Sequence, residues 1–173
     1  MIYMVEIRFS SPEHEDEWNA WYSAHLHTLL SVTGIETAQR LEAITPAERR
    51  YIAIYTIASE AVFTSAAYAG IGGGGIASAK WKAWISRRRT LFSGVDTVPE
   101  ITDAHCLILA DDPPEPVDLP GVLFAPLYAV ALDKSPARRS MAVARREDAQ
   151  AAMTRPGMVV YQARGPRQVA GPR

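Results

Sequence analysis

The segment ASAKWKAWISRRRTLFSGVDTV, residues 77–98, decides how the first half of the chain is assembled. ASAKWKAWISRRR reads as helical and ends on Arg87, Arg88 and Arg89, where cations offset a helix dipole at a solvated end. TLFSGVDTV, residues 90–98, reads as a strand. Just upstream, GIGGGG at residues 70–75 interrupts a helical pattern that SEAVFTSAAYA begins, with Ser59 as N-cap and Phe63 and Ala67 on one side.

Toward the start of the chain, YMVEIRF alternates strictly and predicts a half-buried strand with Tyr3, Val5, Ile7 and Phe9 on one face. Ser10-Ser11-Pro12 stops it. Ser11 suits an N-cap and Pro12 the first turn of a helix, while Glu13, Glu15, Asp16 and Glu17 sit at the positive end of its dipole. The helix is expected to run to about Thr33, with Gly34 as its C′ residue. ETAQRLEAI and YIAIYTIAS, joined by the polar TPAERR, read as an antiparallel pair.

The resulting order, β-α-β-β-α-β over residues 1–98, is that of a ferredoxin-like split unit with two helices on one face of a four-stranded sheet. Its other face needs a cover, most simply a second copy of the sheet, so the expected fold is α+β, a homodimeric α/β barrel. Residues 99–173 predict a β-β-α-β extension: strands in DAHCLILADD and GVLFAPLYAVALD, an amphipathic helix in SPARRSMAVARREDAQAAM, and a strand in PGMVVYQARG. This order matches a reduced second copy of the first unit.

Composition narrows the class. The chain has 173 residues, 48% of them hydrophobic, with no signal-peptide pattern at its start and apolar runs too short to span a bilayer, so a cytoplasmic protein is expected. A single cysteine, Cys106, excludes an intramolecular disulfide and a cysteine-built metal cluster. Residues 1–133 carry 9 basic and 17 acidic side chains, a net −8, whereas residues 134–173 carry 9 basic and 2 acidic, a net +7. The basic segment has one aromatic, Tyr161, so docking on the acidic part of the same chain or of a partner is preferred over nucleic-acid binding. GIGGGG formally contains G-x-G-x-x-G at Gly70, Gly72 and Gly75, but it follows a helical pattern and no lysine follows, so it reads as a helix break or lid between Tyr68 and Trp81. No histidine or carboxylate set has metal-ligand spacing, and neither metal nor cofactor is expected.

At about 100° per residue, Trp18, Tyr22, His25, Leu29 and Val32 form one seam of the first helix, with Trp21 and Leu26 flanking it. His25 then faces inward, and His27 and His14 face out. An imidazole titrating near neutrality suits proton transfer, and Trp18, Trp21 and Tyr22 supply flat walls beside it. Arg40, on the following strand, would need an acidic partner or an anionic substrate if it points inward.

WNAWYSAHLHTLLSVTGIETAQRL, residues 18–41, resembles the aromatic-WY-x-x-HL-x-x-L-L-x-V-x-G-(I/F)-x-x-A-x-R segment of dimeric α/β-barrel proteins of the EthD-like and related groups. The resemblance covers residues 1–97. It implies a small-molecule cavity between sheet and helices, with His25 inside it, and cofactor-free isomerase, lyase, cyclase or monooxygenase chemistry. The sequence therefore predicts acid/base chemistry by His25 and Tyr22 on a small carbonyl, lactone or aromatic compound, with Trp18, Trp21, Arg40, Tyr55, Tyr68 and Trp81 as substrate contacts. Two alternatives stay open: a cofactor-independent monooxygenase on the same fold, and a non-catalytic ligand-binding or assembly protein.

Overall fold

The structure, a computed structural model, describes residues 1–73 and 76–171, residues 76–78 by backbone alone. Among the described residues, nine strands and three short or medium helices follow one another: β1 (Ile2–Phe9), α1 (Glu15–Leu30), β2 (Ile35–Ala43), β3 (Tyr51–Ile57), α2 (Ala66–Gly70), β4 (Ile85–Ser93), β5 (His105–Asp111), β6 (Ala125–Leu132), β7 (Arg138–Arg145), α3 (Gln150–Met153), β8 (Met158–Ala163) and β9 (Gln168–Val169). Hydrogen bonding runs β3-β1-β4-β6-β7-β5-β8-β2, and β2 returns to β3. Every one of these pairings is antiparallel.

The circuit is an eight-stranded antiparallel barrel closed within one chain, which overturns the expected ferredoxin-like sheet with helices on one face and a barrel made by two copies. The face reserved for a second copy is the barrel lumen, and strands from residues 105–163 cover it. Each part of the chain builds one continuous wall, β4-β1-β3-β2 and β6-β7-β5-β8, joined at the β4–β6 and β2–β8 seams. Closure removes the exposed edges that an open sheet would carry.

Two expected helices are strands for the same physical reason. In ISRRRTLFS, β4, alternate residues face opposite sides: Arg88 reaches Glu6 and Asp111 in the lumen, while Arg87 and Arg89 face the outer side. In RRSMAVAR, β7, Arg139 and Met141 point into the lumen and Ala142 and Ala144 out of it. Period-2 alternation, not a helical stripe, is what these segments carry. Of the expected 135–153 helix only α3 remains, and of the expected second helix only α2 and 3-10 turns at Glu60–Thr64 and Ile76–Trp81. Gly74 and Gly75 of the glycine run lie outside the described residues.

The lumen is packed rather than open, with Met4, Ile54, Phe92, Leu107, Leu127 and Met141 among its buried residues. Val98 and Ile101, from the β4–β5 connection, join that core. Gln39 fixes the plug by donating to the Ile101 carbonyl at 2.6 Å and accepting from its N–H at 3.0 Å, and Thr56 Oγ1 accepts from the Val98 N–H at 3.0 Å.

On the outer side of the first wall, α1 lies over Tyr3, Val5, Ile7, Ala53 and Tyr55. All five predicted seam residues, Trp18, Tyr22, His25, Leu29 and Val32, are buried, and His27 is exposed. Trp18 anchors the helix: it is fully buried and stacks on Phe9 at 4.5 Å with an 11° interplanar angle. Trp18→Ala is expected to cost about 3–5 kcal/mol, read as a lower urea midpoint. The helix begins close to the expected place, after a 3-10 turn at Pro12–His14, but Ser11 Oγ meets His14 Nδ1 at 2.8 Å instead of capping a backbone N–H.

Candidate active site

His25 projects from the middle of α1 toward the outer face of β1 and β4. It is 8% exposed, its ring stacks on Trp21 at 4.9 Å and 11°, and Tyr22 meets it edge-on at 5.9 Å. Burial lowers the imidazole pKa and the nearby Arg87 charge lowers it further, so both causes favour the neutral ring at pH 7. A neutral imidazole has one nitrogen free to accept a proton.

The ring borders a cleft of about 30 Å³, roughly the volume one water occupies. Tyr3, Val5 and Ile7 of β1 form its floor, Trp21, Tyr22 and Leu29 of α1 its roof, and Arg87 and Arg89 of β4 its rim. The register explains the rim, because Val5 lies opposite Arg89 and Ile7 opposite Arg87. Cross-strand partners share a face. The two guanidiniums therefore follow from the same alternation that places Tyr3, Val5 and Ile7 there, a signal present in ISRRRTLF but hidden while that segment is read as a helix end.

Phenols surround this cleft. Burial raises the pKa of Tyr3, with Tyr68 adding to it, and burial raises that of Tyr22 against the opposing pull of Arg40. Both remain protonated donors. Tyr55 stacks on Tyr3 at 5.3 Å, and Tyr68 meets Phe63, which meets Tyr3 edge-on at 4.8 Å. The Tyr55 and Tyr68 hydroxyls and the Trp18 and Trp81 indole N–H groups are buried without a hydrogen-bond partner. Four orphaned donors in one aromatic core are unusual in a packed protein, where such groups are nearly always satisfied.

Of the residues expected from sequence, His25, Tyr22 and Trp21 line the cleft, while Trp18, Tyr55, Tyr68 and Trp81 stand behind its walls. Arg40 does point inward but is not on the wall. Its Nη1 donates to the Asn19 carbonyl at 2.9 Å and its Nη2 to Asn19 Oδ1 at 2.8 Å, between the faces of Trp18 and Tyr22 at 4.9 and 4.5 Å. Burial pushes its pKa down to about 10, which leaves it charged at neutral pH. Neither an acid nor a substrate is needed: one side-chain amide, one carbonyl and aromatic faces hold the cation and fasten α1 to β2.

The basic C-terminal segment docks on the acidic part of its own chain. Arg139 pairs with Glu6 and Asp111, Arg164 with Glu42, and Arg167 reaches Glu100 at 3.9 Å. Among the described residues, no helix is long and apolar enough to cross a membrane, and no three His, Cys, Asp or Glu side chains are grouped as for a metal ion.

No protein-family model matches the chain, and no curated sequence matches it at significance, so the EthD-like resemblance gains no support from either. Solved structures do match. One, titled as a crystal structure study of an anthrone oxidase-like protein, superposes with a TM-score of 0.66 at 10% identity over 99% of this chain and 94% of that one. Another, described as a "putative monooxygenase" from Lactobacillus acidophilus NCFM, gives a TM-score of 0.53 at 8% identity over 95% of this chain and 97% of that one. The likeness is one of fold. It extends along nearly the whole chain, both walls of the barrel included.

Proposed function

We propose that this chain is an oxygen-using enzyme of oxidase or monooxygenase type, in which neutral His25 takes a proton from a small aromatic compound bearing a carbonyl or phenol. The observation that carries this reading is a desolvated imidazole on a phenol-lined cleft with two guanidiniums at its rim. Removing a proton next to a carbonyl leaves an enolate; Arg89 offsets its charge, and the tyrosine hydroxyls can donate to its oxygen. An electron-rich enolate reduces dioxygen directly. For an anthrone-type substrate the reactive methylene carbon loses both hydrogens and gains one oxygen atom as a carbonyl, while the second oxygen atom leaves with those hydrogens as water. The four electrons given up by that carbon are the four that dioxygen takes. The descriptions of both fold neighbours favour this branch over isomerase, lyase or cyclase chemistry. Admitting such a substrate requires the exposed Arg87 and half-buried Trp21 side chains to turn away from the mouth.

The test is oxygen uptake during turnover of anthrone by the purified chain. His25→Gln is expected to lower kcat by about a hundredfold or more, the usual contribution of a positioned general base. Product formation with no oxygen uptake would return the chain to proton-transfer chemistry alone, and an unchanged kcat in His25→Gln would remove the histidine from the mechanism.

The pH profile carries its own sign. The base works when neutral, and its pKa lies below the ordinary 6.5, so kcat/KM is expected to hold constant above pH 7 and to fall only as pH drops through that lowered value. The folded state also binds fewer protons than the unfolded chain in that window, so stability rises with pH there. His25→Gln should flatten both curves.

A further inference from the structure

We infer a second ligand site, for a small organic carboxylate, in the open mouth of the barrel on the opposite face of the β1–β4 wall from the His25 cleft. One end of the lumen is plugged by Val98 and Ile101; the other opens into a cup of about 290 Å³. That volume is near the lower end of ligand pockets, which run about 300–1,000 Å³, and barrel mouths are a recurrent place for them.

The floor of the cup is a four-residue ion network. Glu6 accepts from Arg88 Nε and Nη2 at 2.9 and 2.8 Å and from Arg139 Nη2 at 2.9 Å. Asp111 accepts from Arg139 Nε and Nη2 at 2.7 and 2.9 Å and from Arg88 Nη2 at 3.0 Å. Each floor oxygen therefore already accepts at least one bond from a guanidinium, whereas Arg88 Nη1 takes no part in these bonds and is a donor left over at the floor.

Two further donors border the cup. Tyr161, 3% exposed, lines it, and burial and the Glu6 charge raise its pKa, so its hydroxyl keeps its proton. Arg49 stands at the rim, paired at 3.0 Å with Glu48, while its buried Nε has no partner. Glu48 also lines the cup, so three guanidiniums face three carboxylates and the charge balances; what favours a carboxylate head is the set of donors left over, Arg88 Nη1, the Tyr161 hydroxyl and Arg49 Nε. Leu109, Val159, Pro46 and Ala47 supply apolar wall above this floor. A carboxylate head with a short apolar body matches both parts.

The experiment titrates the 15N-labelled full chain with hexanoate and, as a neutral control, hexanamide, following backbone amides by NMR. Saturable hexanoate shifts centred on Gly157, Val159 and Tyr161, at least tenfold weaker with hexanamide, are expected. Arg49→Gln should weaken binding by about tenfold, as expected for loss of a charged donor, and Ala47→Trp, which fills the cup, should abolish it. A dispersed amide spectrum certifies that each variant is folded, and His25→Gln should leave the titration unchanged. Absence of saturation, equal response to hexanamide, shifts confined to the His25 cleft, or full binding by folded Ala47→Trp would each overturn the site.

Discussion

Replacing Arg139 by leucine is expected to destabilise the fold by about 3 kcal/mol, because buried Glu6 loses one of its two cationic partners and Asp111, at the water edge, loses its two-pronged bond. Arg139 is 2% exposed, and its guanidinium is the bridge between Glu6 on β1 and Asp111 on β5, across the lumen from one wall to the other. Its Nη1 also lies 3.0 Å from Met4 Sδ, and its charge sits 5.4 Å from the centre of the Phe92 ring. Burial alone would lower its pKa, but the Glu6 charge and the Asp111 bonds more than reverse that, so the cation is firmly held. In Arg139→Leu, Glu6 keeps the two-pronged bond from Arg88, but Asp111 keeps only one donor. A domain stabilised by about 5–15 kcal/mol loses a large share of its margin. Urea unfolding followed by near-ultraviolet circular dichroism measures the loss. Arg139→Lys keeps the charge without the planar fork and should fall between wild type and leucine. A leucine variant within about 1 kcal/mol of wild type would mean that the lumen network does not hold the walls together.

The same network explains what could and could not be read from sequence. β1 was legible as a strand because its alternation is strict, although it is buried on both faces rather than half-buried, and the α1 seam because tryptophan, tyrosine and leucine recur at helical spacing; hence His25 is inside and His27 outside, as the angles predict. β7 was not legible, and of β4 only Thr90–Ser93 were, within the strand expected at residues 90–98. Their lumen positions hold Arg88 and Arg139, and a strand with arginine pointing into a core looks like a solvated helix until its partners are known. Those partners lie 82 and 133 residues away for Glu6, and no local pattern reports such pairings. The second clue was present but ambiguous. YIAIYTI is buried along its full length, on both faces, which is what a strand covered by α1 on one side and by the lumen on the other requires. Continuous apolar runs of that kind indicate two-sided burial without saying what lies on each side. The cleft suffered the same loss: its floor and roof were readable, and its rim, Arg87 and Arg89, depended on seeing β4 as a strand.

Gly94→Ala is the sharpest test of barrel closure, with an expected cost of about 3–5 kcal/mol from backbone strain and overpacking together. Gly94 follows β4 at its seam with β6 and has φ +109°, a left-handed conformation that side-chain-bearing residues rarely adopt. A Cβ there would lie 2.2 Å from the Pro126 carbonyl oxygen and 3.4 Å from Leu127 Cα. These are backbone atoms of the opposing wall and cannot rotate aside. Gly121→Ala separates the two causes, since Gly121 has φ +77° and open space around its would-be Cβ, so it should lose only the strain component. If the eight-stranded circuit is right, Gly94→Ala costs more than Gly121→Ala and selectively speeds amide exchange where Thr90–Ser93 face Tyr128–Leu132. Equal costs for the two variants would mean that the walls do not meet at this seam. Because β4 carries Arg88 on one face and Arg87 and Arg89 on the other, a loosened seam disturbs the barrel mouth and the His25 cleft at once. Gly94 touches neither cavity, yet its alanine variant should weaken hexanoate binding and turnover together.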